Sequence, residues 1–185
     1  YNTIENLLDE KEEVSTLDII KALPSEEISL DIDNLILVIS SWKNELAKQQ
    51  NIEVLQNKNI NSSEFISKLK LFKSDIFVSL AFNQIFKKEA ILLPAKGVIN
   101  CHAGKLPHYR GRNILNWALI NDEKEFGITV HFVDEGIDTG DIITQETFPI
   151  SDEDNYGSLL KKAYEKCGPI VMKSLSKILL NEVTR

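Results

Sequence analysis

An Asn, a His and an Asp stand where apolar segments of the chain end. Asn100 and His102 follow the apolar residues Val98 and Ile99, and Asp138 comes 38 residues after Asn100 in a segment that contains two glycines. An amide can donate to a carbonyl oxygen, an imidazole can donate or move a proton, and a carboxylate can hold an imidazole in its charged form. The three groups together suit a site that polarises a carbonyl, stabilises an oxyanion and moves a proton.

Asn100 and His102 can act together if residues 98–102 form a strand. Side chains two positions apart point to the same face of a strand, so both would face one side and Cys101 the other. An isolated Asn-x-His pattern more often satisfies backbone groups at a strand end. The later Asp favours the catalytic interpretation, but spacing alone does not decide between the two.

Short apolar runs alternate with helical patterns along most of the chain. Strands are predicted at residues 35–39, 52–55, 75–80, 98–102, 128–133 and 142–148. Helices are predicted at residues 42–50, 61–72, 113–121 and 156–180. Asn61 is the expected N-cap of the helix at 61–72. The helix at 156–180 is expected to be interrupted near Gly168-Pro169. The alternation predicts an α/β domain with a mainly parallel sheet flanked by helices, in which ligands bind beyond the carboxyl ends of the strands.

Composition narrows the class of protein. The chain has 185 residues, a net charge of −7 and 43% hydrophobic residues, which is typical of one globular domain with a sizeable core. An acidic chain without a long basic stripe is a poor binder of nucleic acids and anionic membranes. No apolar run approaches the roughly 20 residues of a spanning helix. The two cysteines, Cys101 and Cys167, predict a reducing, cytoplasmic setting.

Two segments of the chain carry a family resemblance. Residues 100–113, NCHAGKLPHYRGRN, resemble the hallmark of the 10-formyltetrahydrofolate-dependent formyltransferases, which typically read Asn-x-His-x-Ser-Leu-Leu-Pro-x-Tyr/Trp-Arg-Gly. Residues 127–131, GITVH, and 136–141, GIDTGD, resemble the second hallmark, with the same order and separation. The resemblance runs from about residue 35 to residue 148. The chain departs from it at Ala103-Gly104-Lys105, beside the acceptor side of the site.

The resemblance implies a Rossmann-like fold and a set of catalytic residues. It predicts one formyltransferase catalytic domain over residues 1–185, with a helical region at 156–180. The first strand of the family fold is not recognisable in the N-terminal residues, because 35–39 aligns with the second strand. Asn100 and a protonated His102 would stabilise the oxyanion, and Asp138 would raise the pKa of His102.

The resemblance also implies a cosubstrate, 10-formyltetrahydrofolate. No metal site is expected, because the three His and two Cys show no ligand spacing. The pterin ring would lie against the main chain that follows the strand at 75–80, and a turn on the other side would close the pocket. The residues expected to bind it are Phe82, Asn83, Gln84, Ile85, Phe86, Asp134 and Gly136. An equally weighted alternative is that Phe82 and Phe86 are core residues.

The acceptor is expected to be a nucleotide-linked amino sugar. The run Tyr109-Arg110-Gly111-Arg112 with Leu115-Asn116-Trp117 is most similar to the sugar N-formyltransferase branch. The residues expected to bind this substrate are Lys105, Arg110, Arg112 and Asn113, with the guanidinium groups on a diphosphate. Alternatives are glycinamide ribonucleotide formylation, formyl-folate hydrolysis and a non-catalytic folate- or sugar-binding module. His108 and His131 are expected to be structural.

The region at 156–180 carries more apolar residues than one exposed helix face needs. These residues are Leu159, Leu160, Ala163, Ile170, Val171, Leu175, Ile178 and Leu179. They could fold back onto the sheet or form a homodimer, and the sequence slightly favours the dimer.

Overall fold

A five-stranded sheet organises the part of the chain that the structure describes. The computed structural model describes residues 35–38, 55, 58–82 and 84–183. The strands are β1 (Leu35–Val38), β2 (Ile76–Leu80), β3 (Val98–His102), β4 (Glu125–Phe132) and β5 (Ile142–Pro149). The helices are α1 (Ser63–Leu71), α2 (Lys88–Ile91), α3 (Ile114–Ile120) and α4 (Tyr156–Leu179).

The strands lie side by side in chain order, and four of the five run in one direction. The pairs β1–β2 and β2–β3 are parallel, whereas β4 is antiparallel to both β3 and β5. The predicted fold, an α/β domain with a mainly parallel sheet and flanking helices, is confirmed. The reversed strand β4 matters for function, because it places its own side chains opposite those of β3.

Alternating residues of the central strands feed two separate cores, one on each face of the sheet. Ile76, Val78 and Ile99 belong to a core that includes residues of α3 and α4. Phe77 and Val98 belong to a second core, which includes residues of α1 and α2. Because Asn100 and His102 share the parity of Val98, their side chains belong to the second face.

Two details of the predicted helices are corrected. The cap of α1 is Ser62 and not Asn61, since the Ser62 side chain accepts a hydrogen bond from the Phe65 amide. The side-chain amide of Asn61 instead donates from Nδ2 to the Ile85 carbonyl at 2.8 Å. The C-terminal helix α4 is not interrupted, because Pro169 lies within one continuous helix. Its neighbours Gly168 and Ile170 are buried, and this packing keeps the helix intact despite the missing amide.

The apolar residues of α4 pack within the chain. Leu159, Ala163, Ile170, Val171, Leu175 and Ile178 are buried in the core on the α3–α4 face, and Leu160 packs at its edge. Folding back onto the sheet therefore accounts for this surface, and the reason for expecting a homodimer is lost.

Other predicted boundaries differ or cannot be compared. Strand β4 starts at Glu125, three residues before the predicted start, because its pairing with β5 extends to Glu125 opposite Pro149. The predicted helix at 42–50 and all but the last residue of the predicted strand at 52–55 lie outside the described residues, and residue 55 is not in a strand. Within the described helices, none combines the length and the apolar character needed to cross a membrane.

Candidate active site

The three predicted catalytic residues meet at the carboxyl end of β3. His102 Nδ1 lies 3.5 Å from Asp138 Oδ2. Asn100 and His102 point to one face of β3, while Asp138 reaches them from the loop that joins β4 to β5. Asp138 has a φ of 50°, in the left-handed region that Asp tolerates better than most residues. The structure thus brings together the groups that the sequence singled out.

A fourth polar residue, His131, completes the cluster. It faces Asn100 across the β3–β4 pair and is 2% exposed. Its Nε2 lies 3.4 Å from Asn100 Nδ2 and 3.4 Å from Asp138 Oδ1. Because a carbonyl can only accept, the 2.7 Å contact from Nδ1 to the Phe132 oxygen makes Nδ1 the donor. The sequence prediction that His131 is merely structural overlooked this position, although the GITVH motif contains it.

Both ring nitrogens of His102 face acceptors. Nε2 lies 2.6 Å from the Tyr109 carbonyl oxygen, and Nδ1 faces the Asp138 carboxylate. Burial lowers the pKa of His102 below its ordinary value, and the neighbouring His131 acts in the same direction, whereas the Tyr109 carbonyl and Asp138 act to raise it. Asp138 thus acts on the pKa of His102 in the expected direction, although the net pKa is lowered. Asp138 does favour the charged imidazole, but the desolvation of a ring that is 8% exposed outweighs it.

Asp138 remains ionised at neutral pH. Burial raises its pKa, but the neighbouring His131, a hydrogen bond from the Gly111 amide and the neighbouring His102 together bring the pKa below its usual value. The Gly111 amide donates to Asp138 Oδ2 at 2.8 Å. A fixed negative charge thus lies between two imidazole rings. It favours protonation of His102, and further negative charge nearby would act in the same direction.

The loop that carries Asp138 is closed by its own polar contacts. Asp134 Oδ1 accepts from the Gly136 amide at 3.0 Å and from the Thr139 hydroxyl at 2.6 Å. A Cβ at Gly136 would overlap the Thr139 hydroxyl, and a Cβ at Gly140 would overlap the Phe132 carbonyl. Asp134 and Gly136, two predicted folate-binding residues, therefore serve first to shape this loop.

The predicted pterin wall lies on the same face of the sheet as the catalytic cluster. Phe86 is buried in the α1–α2 core, and the partly buried Phe82 packs against it with ring centroids 5.4 Å apart. Ile85 is 62% exposed. The Gln84 side chain accepts from the Ile60 amide at 2.8 Å. Asn83 lies outside the described residues.

These positions leave a defined surface for a flat ring. Phe86 serves the core, and the Ile85 carbonyl is already bonded to Asn61, so neither is open to a ligand in this arrangement. The Ile85 side chain is exposed and Phe82 is partly buried, so both present some apolar surface.

The predicted acceptor residues lie within the loop between β3 and α3. Arg110 and Arg112 are exposed on either side of Gly111, whose amide binds Asp138. Lys105 forms an ion pair with Glu125, which raises the pKa of the lysine. Asn113 has a φ of 57° at the start of α3, and its side chain makes no capping bond. Lys105 therefore braces the loop, and Arg110 and Arg112 are exposed within it.

Buried hydrogen bonds hold the segment just after His102. The Thr129 hydroxyl donates to the Gly104 carbonyl at 2.7 Å, and Gln145 Nε2 donates to the Leu106 carbonyl at 2.9 Å. Gly104 lies where a Cβ would overlap both His102 Nε2 and the Tyr109 carbonyl. Among the described residues, no group of three His, Cys, Asp or Glu side chains could hold a metal ion.

Comparison with known proteins assigns the family. A family model described as formyl transferase matches residues 24–175. The chain belongs to the formyl transferase family. It is 39% identical to a methionyl-tRNA formyltransferase of Kosmotoga olearia over 139 aligned residues. The aligned region covers 75% of this chain and 45% of that protein. The chain thus spans less than half the length of this relative.

Solved structures of the formyl transferase family share the fold. A phosphoribosylglycinamide formyltransferase from Bacillus halodurans superposes with a TM-score of 0.77 at 23% identity, covering 90% of each chain. The formyltransferase PseJ from Anoxybacillus kamchatkensis, in complex with UDP-4,6-dideoxy-4-formamido-L-AltNAc and tetrahydrofolate, superposes with a TM-score of 0.61 at 21% identity, over 81% of this chain and 78% of that one.

Proposed function

We propose that this chain transfers the formyl group of 10-formyltetrahydrofolate to a primary amine. The observation that carries the proposal is the cluster of Asn100, His102 and Asp138 at the carboxyl end of β3, with the His102–Asp138 contact at 3.5 Å. Membership of the formyl transferase family supports the same reaction. The cluster offers one amide donor, an imidazole that can carry a positive charge and a carboxylate that can accept a proton.

The mechanism follows from the charges that develop. A neutral amine attacks the formyl carbon, and negative charge develops on the formyl oxygen. Asn100 Nδ2 donates to that oxygen, which contributes on the order of 3–4 kcal/mol, and the positive charge of a protonated His102 stabilises it as well. Asp138 supports the imidazolium. The proton lost by the amine passes by way of the Asp138 carboxylate to the folate nitrogen when the old carbon–nitrogen bond breaks.

Sequence identity supports an aminoacyl-tRNA as one acceptor. The Kosmotoga olearia relative, 39% identical over the matched region, is a methionyl-tRNA formyltransferase. The expectation that nucleic acid is excluded rests on a net charge of −7, a property of this chain alone. Because the chain spans 45% of that relative, its charge is a weak argument against tRNA.

Local charge supports a nucleotide-linked amino sugar as the second acceptor. Arg110 and Arg112 are exposed beside the Gly111 amide that binds Asp138, so a diphosphate held there would lie close to the catalytic cluster. PseJ, which shares the fold, was solved with a UDP-linked formamido sugar. Formylation of glycinamide ribonucleotide, hydrolysis of formyl-folate and binding without turnover are the remaining alternatives.

One assay separates these candidates. The purified chain is incubated with 10-formyltetrahydrofolate and, in turn, methionyl-tRNA, a panel of UDP- and dTDP-linked amino sugars, glycinamide ribonucleotide or water alone. Mass detection of a formyl gain identifies the acceptor, and free formate identifies hydrolysis. Folate binding without any formyl product would refute the proposed transfer and support a binding module.

A further inference from the structure

A three-residue segment, Tyr109 to Gly111, contacts both His102 and Asp138 of the candidate site. The Tyr109 carbonyl accepts from His102 Nε2 at 2.6 Å. Two residues later, the Gly111 amide donates to Asp138 Oδ2 at 2.8 Å. The segment thus helps to set the relative position of the imidazole and the carboxylate, which lie 3.5 Å apart.

The position of the Tyr109 carbonyl affects the charge that His102 can carry. The polar groups around this ring are the Tyr109 carbonyl, Asp138 and the His131 ring, whose centroid is 6.5 Å away. Burial and His131 oppose a positive charge, whereas the carbonyl and the carboxylate favour it. A small retreat of the carbonyl would therefore leave Asp138 as the main group that favours the imidazolium.

The Tyr109–His102 contact depends on glycine at position 104. A Cβ at Gly104 would overlap both the Tyr109 carbonyl and His102 Nε2. The Gly104 carbonyl is itself fixed by the buried Thr129 hydroxyl at 2.7 Å. Glycine at this position lets the carbonyl approach the ring closely.

The Tyr109 side chain tethers the segment to a distant turn. Its hydroxyl donates to Glu123 Oε1 at 2.6 Å and accepts from Asn121 Nδ2 at 3.2 Å. Both partners lie between α3 and β4, and the Glu123 amide bonds to the Ala118 carbonyl of α3 at 2.9 Å. A hydroxyl bonded to a carboxylate makes one of the stronger hydrogen bonds, so this tether restrains the tyrosine.

We propose that Tyr109 and Glu123 are positioning residues for formyl transfer, because their hydroxyl–carboxylate contact holds the Tyr109 carbonyl against His102 Nε2. The proposal rests on the proposed function. Neither side chain touches the reacting atoms, and both act through the main chain of the segment. A purely structural tether would change stability but leave the titration of His102 and the pH dependence of turnover unaltered.

The test is Tyr109→Phe, which keeps the ring and removes the hydroxyl. In the free chain, the NMR titration midpoint of His102 should fall by about half a pH unit, since a carbonyl that favours the charged ring is less well held. The alkaline limb of the kcat profile should move down by a similar amount, while KM for 10-formyltetrahydrofolate stays near the wild-type value. Tyr156→Phe is the matched control and should leave His102 unchanged.

Variants of Glu123 give an independent arm. Glu123→Gln retains an acceptor for the tyrosine hydroxyl and should keep the His102 midpoint near wild type, whereas Glu123→Ala should reproduce the Tyr109→Phe shift. An unchanged His102 midpoint in folded Tyr109→Phe or Glu123→Ala would overturn the proposal. A shifted midpoint with an unshifted kcat profile would also overturn it. Absence of formyl transfer by the wild-type chain would instead refute the proposed function, and the NMR arm would still decide whether the tether positions His102.

Discussion

Asn100 Nδ2 lies 3.4 Å from His131 Nε2, and the two residues face each other across the antiparallel strands β3 and β4. The His131 Nδ1–H is used by the Phe132 carbonyl, so a neutral His131 presents Nε2 as an acceptor. The amide of Asn100 must then turn its NH₂ group toward His131. One hydrogen is held there, and the other can donate to the formyl oxygen.

The first prediction concerns Asn100 and His102 on β3. Asn100→Ala and His102→Ala should each lower turnover by about a hundredfold or more, because each removes a group whose interaction with the oxyanion strengthens as that charge forms. Single-turnover formylation and a thermal melt measure activity and folding separately. His108→Ala, an exposed loop change, is the control and should stay close to wild type. Near-normal activity of either test variant in a folded protein would remove that residue from the mechanism.

The second prediction concerns His131. His131→Phe keeps much of the buried volume but removes the acceptor for Asn100, so turnover should fall by about tenfold or more with little change in KM for folate. Steady-state kinetics at saturating acceptor measure this. Because the ring is buried, a melt must show that the variant folds. Wild-type kcat in the folded variant would mean that Asn100 is oriented without His131.

Much of the site could be predicted from period-two spacing and from the family motifs. The strand at Val98–His102 and the shared face of Asn100 and His102 follow from alternation along one strand. The position of His131 opposite Asn100 does not follow from that alternation, because it depends on the register between β3 and its antiparallel partner β4. The net shift of the His102 pKa depends on how deeply the fold buries the ring, which no local pattern specifies. Pro169 resembles a helix break locally, but packing on both sides overrides that preference.

The third prediction is that the chain is a monomer at micromolar concentration. Six of the eight apolar residues of α4 that suggested a dimer are already buried in the core, as Leu159 at 0% exposure and Val171 at 1% illustrate. Light scattering coupled to gel filtration should give the mass of one chain across a dilution series. A stable mass of two chains would require an interface formed by another surface.

The fourth prediction concerns Gly104. Gly104→Ala should lower both the melting temperature and turnover, because the added Cβ would overlap His102 and the Tyr109 carbonyl. Gly157→Ala is the matched control: it lies in the first turn of α4, where a Cβ meets Asn155 at 3.2 Å, and it should change stability by less than about 1 kcal/mol. Equal melting temperatures and equal turnover for the two variants would show that the loop can yield at Gly104.

The fifth prediction concerns Asp138 and pH. Burial lowers the pKa of His102, and Asp138 opposes that effect, so Asp138→Asn should lower the pKa of His102 further. Because the proposed mechanism needs the protonated imidazole to stabilise the oxyanion, activity should be lost as pH rises through that pKa. The variant should therefore lose most turnover, and its residual activity should decline at lower pH than that of the wild type. Asp141→Asn, an exposed change in the same loop, serves as the control. Profiles of kcat against pH, with folate affinity measured by fluorescence, decide the matter. Wild-type turnover with an unshifted profile would show that Asp138 orders the loop and carries no charge coupling to His102.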